Sequence, residues 1–421
     1  MKDKIHAFKP GRRKFLKSFG IVAAGSVAAA GKATGAVMGS AQRPVKVGVL
    51  LPGSKIYPDM TKNLENGART WLDTIKPESG TRPVELVIEH IDHKISTAVD
   101  RSGVLLTRHK VDMVVAFVGY HAARSLWPVF QDTNVPLITA DAGANYHTNN
   151  PEGVFHHSLH YWKGAYALGQ WAAANLGNRG VINTSFYESG YDTITAFRKG
   201  FETAGGEVLE THVTDAPPNF DAVTPPVEEI EKLAPDFVYA SYGDPDAITY
   251  VHAYHASGLA AKVPLIGPGF LAGETSLGAQ ADTAEGIHTA FAWAPMLENP
   301  KNVAFMKEYV TRCGMQADGF ALLGYETMQL VTTALQHSGG DLWDRKAFSR
   351  VLAGVKIESP RGTIAMNPDT RVTSGNVYLR RVQGRQNMVL TTLTVSETEL
   401  AEMIAGLDPL RSGWINTYMC A

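Results

Sequence analysis

From residue 45 onward, short apolar runs alternate with stretches in which apolar residues recur every three or four positions. Val45, Val47 and Val49 open a first strand. Met60, Leu64, Ala68, Trp71, Leu72 and Ile75 then follow at the spacing of one helix face. The pattern predicts strand 84–91, helix 96–109, strand 111–118, helix 121–132 and strand 135–139. Strands this apolar, separated by helices, imply a parallel sheet covered on both faces.

The pattern then restarts. Strand 154–158 precedes helix 162–176, and strand 181–186 precedes helix 191–204. Strand 208–213, helix 226–233, strand 236–242, helix 246–257 and strand 263–267 continue the alternation. The second block echoes the first. Val111-Asp112-Met113-Val114-Val115-Ala116 resembles Pro235-Asp236-Phe237-Val238-Tyr239-Ala240. Each is followed by a helix and then by Val-Pro-Leu-Ile, at Val135 and at Val263. The fold class is therefore α/β, with two Rossmann-like halves whose sheets are rich in parallel strands. Two unrelated α/β domains are the plainer alternative.

The last third changes character. Helices 301–313, 319–337 and 344–353 come together, and short strands near 356–366, 376–382 and 388–395 follow. Those strands are expected to complete sheets begun earlier. No Pro/Gly/Ser-rich linker divides the halves, so chain crossings between lobes replace a single linker. The tail 396–421 begins as a helix and turns irregular.

Charge separates the first 41 residues from the rest. They hold eight Lys and Arg against one acid, so the remaining chain carries −9. Arg12-Arg13-Lys14-Phe15-Leu16-Lys17 precedes an Ala/Gly/Val run from Phe19 to Gly31. This is the layout of a twin-arginine export signal, with Gly39-Ser40-Ala41 as the best cleavage site and Thr34-Gly35-Ala36 competing. The run is shorter than the ~20 residues of a stable membrane span. The expected compartment is periplasmic. An acidic body argues against a nucleic-acid partner. Cys313 and Cys420 are the only cysteines. They form no CxxC or Cys/His ligand set, which removes iron–sulfur and thiolate-zinc cofactors, and a disulfide between them is permitted in an oxidising compartment. No cofactor and no metal are expected.

Several short motifs, in this order and spacing, resemble periplasmic solute-binding proteins of the branched-chain amino-acid ABC transporter type, with the two-lobed type I fold. They are Val47-Gly48-Val49-Leu50-Leu51-Pro52-Gly53-Ser54, Asn66-Gly67-Ala68, Val135-Pro136-Leu137-Ile138 and Gly190-Tyr191-Asp192. Phe197, Gly200-Phe201, Gly205-Gly206-Glu207-Val208, Asp236-Phe237-Val238-Tyr239, Gly267-Pro268 and Glu285-Gly286 complete the set. The resemblance covers about residues 44–395. It implies an N-terminal lobe of residues 44–158 plus 293–366 and a C-terminal lobe of 159–292 plus 367–395, joined by three hinge crossings. The ligand would lie between them, at the carboxyl edges of the sheets. It also implies a membrane permease as partner and a monomer or weak dimer.

The candidate ligand residues follow strands. Ser54, Tyr57 and Met60 lie in or beside the first loop. Tyr120 and His121 open a helix whose amides would meet an anion, although the family often has small hydroxyl residues there. Ala142 and Gly143 let ligand atoms approach backbone. Trp162 lies near the first crossing, and Tyr191 opens a helix of the second lobe. Tyr242 and Asp244 follow another strand, Asp244 serving equally as a helix N-cap. Gly267-Pro268-Gly269-Phe270 departs most from the family. An acid that pairs with the ligand's ammonium commonly follows Gly-Pro there, whereas this chain has glycine and Phe270. Unless Asp244 or Glu274 substitutes, a small organic acid with an aromatic body fits better than an amino acid. His147, His156, His157 and His160 cluster, and His90 and His93 form an HxxH pair that, near a strand or loop, lacks the helical i,i+4 geometry of a metal pair.

No catalytic motif appears: no G-x-S-x-G, no GxGxxG after a strand, no P-loop and no haem CxxCH. A non-enzymatic binder that captures a small solute for an ABC transporter is the leading expectation. Amino-acid binding, a non-catalytic sensor of the same fold and an exported cofactor enzyme are the alternatives.

Overall fold

The computed structural model describes residues 43–402 apart from 55–56, 76–81, 93, 132, 144–149, 186–191, 215–222, 340–343, 397 and 400. The first lobe is built by β1 (Val45–Pro52), α1 (Met60–Thr74), β2 (Val84–Ile91), α2 (Ile95–Val104), β3 (Met113–Ala116), α3 (Tyr120–Gln131), β4 (Leu137–Asp141) and β5 (Val154–Ser158). Its strands lie in the order β2-β1-β3-β4-β5, all parallel. Helix 96–109 of the sequence reading is α2 followed by a single π turn at Leu105–His109. Lys110 then turns left-handed, and Val111 donates its N–H back to the Leu105 carbonyl.

The second lobe follows with α4 (Tyr161–Asn175), β6 (Arg179–Ser185), α5 (Asp192–Thr203), β7 (Glu207–Thr214), α6 (Val227–Leu233), β8 (Phe237–Ser241), α7 (Asp244–Ala256), β9 (Leu265–Pro268), α8 (Leu277–Gln280) and β10 (His288–Phe291). The chain then forms α9 (Pro300–Cys313), α10 (Gly319–His337) and α11 (Arg345–Ala353). Asn299, Asp318 and Asp344 cap these three, each side chain accepting an N–H two or three residues into its helix. Sixteen of the nineteen residues of α10 are buried, because α1, α11 and the first sheet cover it.

The closing strands are β11 (Lys356–Ser359), β12 (Gly362–Met366), β13 (Thr373–Ser374), β14 (Val377–Gln383) and β15 (Gln386–Leu393). The region expected as one strand near 356–366 is a hairpin. Gly362 supplies the positive φ of 99° that its turn needs. With β13 it makes a separate three-stranded sheet rather than extending an earlier one, although Val372 bridges to His156 in β5. By contrast β14 and β15 do complete an earlier sheet, of order β15-β14-β10-β9-β8-β6-β7, antiparallel at β10-β14-β15 and parallel elsewhere. Among the described residues no helix is long and apolar enough to cross a membrane.

Candidate functional site

The carboxyl ends of β1, β8 and β9 open onto one place. β1 leads through Ser54 to Tyr57, whose N–H donates to Ser54 Oγ at 3.0 Å. β9 leads through Gly269 to Phe270, whose N–H donates to Tyr161 Oη at 3.1 Å. The start of α10 brings Phe320 to the same point. The three rings meet: Tyr57–Phe270 centroids are 5.3 Å apart, Tyr57–Phe320 5.3 Å, and Phe270–Phe320 5.2 Å with the planes 19° from parallel. Tyr161 and Phe291 flank Phe270 at 4.8 Å and 5.4 Å. Rings from the β1 and β9 loops, α4, β10 and α10 therefore form one buried cluster. Each such pair contributes ~0.5–1.5 kcal/mol beyond its area.

A narrow pocket lies beside this cluster. Its walls are Tyr57, Met60, Phe270 and Phe320 on the apolar side and Asp59, Asp244, Glu274, Asp318, Thr275 and Ser276 on the polar side. Asp244 begins α7 with φ 37°, a rare conformation for a residue with a Cβ, and its Oδ1 accepts from Ser276 Oγ at 3.1 Å. Burial holds the Asp244 carboxyl above the usual range and nearby Asp59 adds to this, against the Ser276 hydrogen bond. Burial likewise pushes Asp318 up to about 6, although it accepts from the Ala321 amide and from Asn63 Nδ2, both at 2.8 Å.

Glu274 is neutralised. Arg380, fully buried on β14, donates to Glu274 Oε1 at 2.8 Å. It also donates to the Gly269 and Trp293 carbonyls at 2.9 Å each and to Thr289. This arginine ties the loop carrying Phe270 to β10 and β14, and its guanidinium lies 5.0 Å from the Phe291 ring centre.

The other expected site residues are distributed. Met60 is buried at the first position of α1 and lines the pocket. His121 lies in the first turn of α3, which Tyr120 begins. Ala142 accepts the Tyr161 N–H, while the Gly143 N–H donates to Asp141 and its carbonyl accepts from Ser158. Tyr242 is buried, stacks on Tyr250 with centroids 4.2 Å apart, and reaches Thr214 with its hydroxyl. Trp162 packs in the core against the seven-stranded sheet rather than in the pocket wall. Tyr191 lies outside the described residues, as do His93, His147, Cys420 and the export-signal region.

Sequence reasoning missed Asp59, Asp318 and Phe320 as site residues. Asp318 reads as an N-cap, and Phe320 as the first apolar residue of a core helix. Only the closeness of α10 to the β1 and β9 loops shows that this helix begins at the site.

The histidine cluster belongs to the frame behind the site. His157 reaches Glu326 at 3.2 Å and Thr373 at 3.0 Å, and Arg361 donates to Glu326 and to the Ser158 carbonyl. His157, Glu326 and Arg361 are all fully buried. Burial lowers the His157 pKa despite Glu326, whereas Arg361 and His157 outweigh burial at Glu326 and lower its pKa. Among the described residues no group of three His, Cys, Asp or Glu is placed to hold a metal ion.

A family model described as periplasmic binding protein matches residues 44–387. A Leu/Ile/Val-binding protein homolog of Brucella suis is 28% identical over 346 residues, covering 80% of this chain and 87% of its own. Among solved structures, an ABC transporter solute-binding protein from R. palustris in complex with benzoate is 26% identical with a TM-score of 0.72, covering 84% of this chain and 98% of its own. The branched-chain amino-acid transporter substrate-binding protein LivJ from Streptococcus pneumoniae, in complex with isoleucine, is 18% identical with a TM-score of 0.67 over 84% of this chain and 99% of its own.

Proposed function

Because this chain belongs to the periplasmic binding protein family, an extracytoplasmic family of solute carriers, we propose that it captures a small solute with a flat ring between its two lobes and presents it to an ABC transporter permease. The observation that carries this reading is the ring cluster of Tyr57, Phe270 and Phe320, drawn from both lobes onto one pocket. A flat apolar body can replace the contacts these rings make with one another, so ligand and closure favour the same state. The benzoate held by the R. palustris relative supports the ring class. A carboxylate on such a solute would meet the amides that begin α3, beside Tyr120 and His121. The remaining proposed ligand contacts are Ser54, Met60, Ala142, Gly143, Tyr191, Tyr242 and Asp244.

The lobes would turn on three crossings, expected from the sequence near residues 159, 293 and 367; the pairing of β13 with β12 and of β14 with β10 supports placing the third nearer 375. Export is proposed to use Arg12-Arg13 and the apolar run behind them, delivering a folded protein that needs no cofactor and does no chemistry. Titration calorimetry on the purified chain tests the ring reading. Binding of single-ring compounds with Kd in the micromolar range or below, lost at least tenfold in Phe270→Ala, is expected. Binding of isoleucine alone, with no ring compound bound, would sink it.

A further inference from the structure

We propose that His160 makes the hinge acid-sensitive: a proton taken up on its imidazole drives the two lobes apart. The inference rests on the crossings proposed above and gives one of them a titrating residue. His160 lies in the connection between the end of β5 at Ser158 and the start of α4 at Tyr161. Its backbone is left-handed, with φ 53° and ψ 40°, a conformation that strains a residue with a Cβ. Its N–H donates to Ser158 Oγ at 2.9 Å. The ring is buried, and its Nε2 has no hydrogen-bond partner among the described residues. A strained backbone and an unpaired buried nitrogen are both relieved when the crossing turns and admits water.

Arg361 couples this point to the other elements. It sits in the turn of the β11–β12 hairpin, fully buried, and donates to the Ser158 carbonyl at 2.8 Å. Its carbonyl accepts from Tyr378 Oη on β14 at 2.8 Å. A Cβ on Gly375, at the third crossing, would lie 3.3 Å from its Nη1, which is also buried without a partner among the described residues. Two crossings therefore meet on one cation. Burial first, then Arg361, Lys163 of α4, and His157 and His156 of β5 hold the His160 pKa well below the usual imidazole range. The nearby acids are engaged elsewhere: Glu326 on α10 bonds Arg361 and His157, and Asp141 on β4 lies 3.3 Å from His156. Lys163 donates to the Gly375 carbonyl at 3.4 Å, across the same two crossings. Closed, the ring stays neutral. Opened, it regains water and an ordinary pKa of about 6.5. Protons therefore favour the open form, and His160 should raise the open-to-closed ratio about tenfold from pH 7.5 to 5.5. Asp244 and Asp318, held above the usual carboxylate range in the cleft, act toward closure over the same interval.

The test compares the full chain with His160→Asn by small-angle X-ray scattering at pH 7.5 and 5.5, without ligand and so independently of the ring reading. Asparagine tolerates the left-handed backbone and does not titrate. The parent is expected to expand at pH 5.5, whereas His160→Asn keeps its radius of gyration or contracts. Lys163→Gln leaves the ring in place, removes one cation facing it, and should reduce the expansion. Thermal melts at pH 7.5 confirm that both variants fold. Gly243→Val, which wedges Tyr57 away from the residue after β8, is the control for an opened form. An expanded Gly243→Val with parent and His160→Asn responding alike to acid overturns the switch and leaves the hinge standing. No expansion in Gly243→Val or in the acidified parent overturns both.

Discussion

Asp318 shows how one residue serves two ends. Its side chain caps α10, and its burial in the pocket wall raises its pKa to about 6. The folded protein therefore holds a proton that the unfolded chain has released between about pH 4 and 6. Asp318 contributes stability that is full below its unfolded value near 4 and is lost as pH rises through 6. Asp318→Asn keeps a capping oxygen but removes the titration. Its stability relative to the parent should rise by about 1–3 kcal/mol between pH 4 and pH 7.5, read from urea denaturation at both pH values. His157 acts in the opposite sense: its lowered pKa means that stability falls as pH drops below about 6.5, where the unfolded imidazole takes up a proton. Behind the site, Arg361→Met strands Glu326 in a fully buried position and should cost about 3–5 kcal/mol, while Arg361→Met with Glu326→Leu recovers much of that. Equal destabilisation of the single and double variants would contradict this account.

Helix packing sets the frame on which these residues sit. α1 and α10 approach so closely that a Cβ at Gly67 would overlap the Ala321 carbonyl, and one at Gly324 the Leu64 carbonyl. Gly67→Ala should therefore lower stability by about 1–3 kcal/mol through backbone displacement. Gly103→Ala, on α2 with open space around it, should instead raise stability by about 0.5–1 kcal/mol. Thermal melts of the two variants, moving in opposite directions, check the assignment. Periodicity made α1 and most of the alternating strands and helices legible, because each buries a regular set of positions. It pointed to the Tyr57 and Phe270 loops, since each directly follows the carboxyl end of a strand, one in each of the two large sheets. It did not show that 356–366 folds back at Arg361, because a hairpin and a single strand share the alternation of apolar residues. Nor did it expose Asp318 and Phe320 as site residues. A cap and a core aromatic look the same in sequence wherever their helix docks, and here they dock against loops nearly 50 and 260 residues away along the chain.

At the scale of the whole molecule, capture depends on how well two lobes fit with the solute between them. The fit has a narrow point at Gly243. This residue follows β8 in the second lobe, and the Tyr57 hydroxyl of the first lobe lies against it so closely that a Cβ would overlap the ring end. Tyr57 has little room to yield, being buried between Phe270 and Phe320. Gly243 itself is extended, with φ −115° and ψ 146°, so a larger residue there strains no backbone. Gly243→Val is therefore a wedge that acts on closure rather than on folding. Each lobe keeps its own core, and the melting transition of the unliganded protein should move by no more than a few degrees. Closure is opposed, so affinity for a ring ligand should fall tenfold or more. The ligand-induced decrease in radius of gyration, measured by small-angle X-ray scattering, should shrink with it. A Gly243→Val protein that binds and compacts like the parent would show that Tyr57 and Gly243 are not in contact in the ligand-bound form.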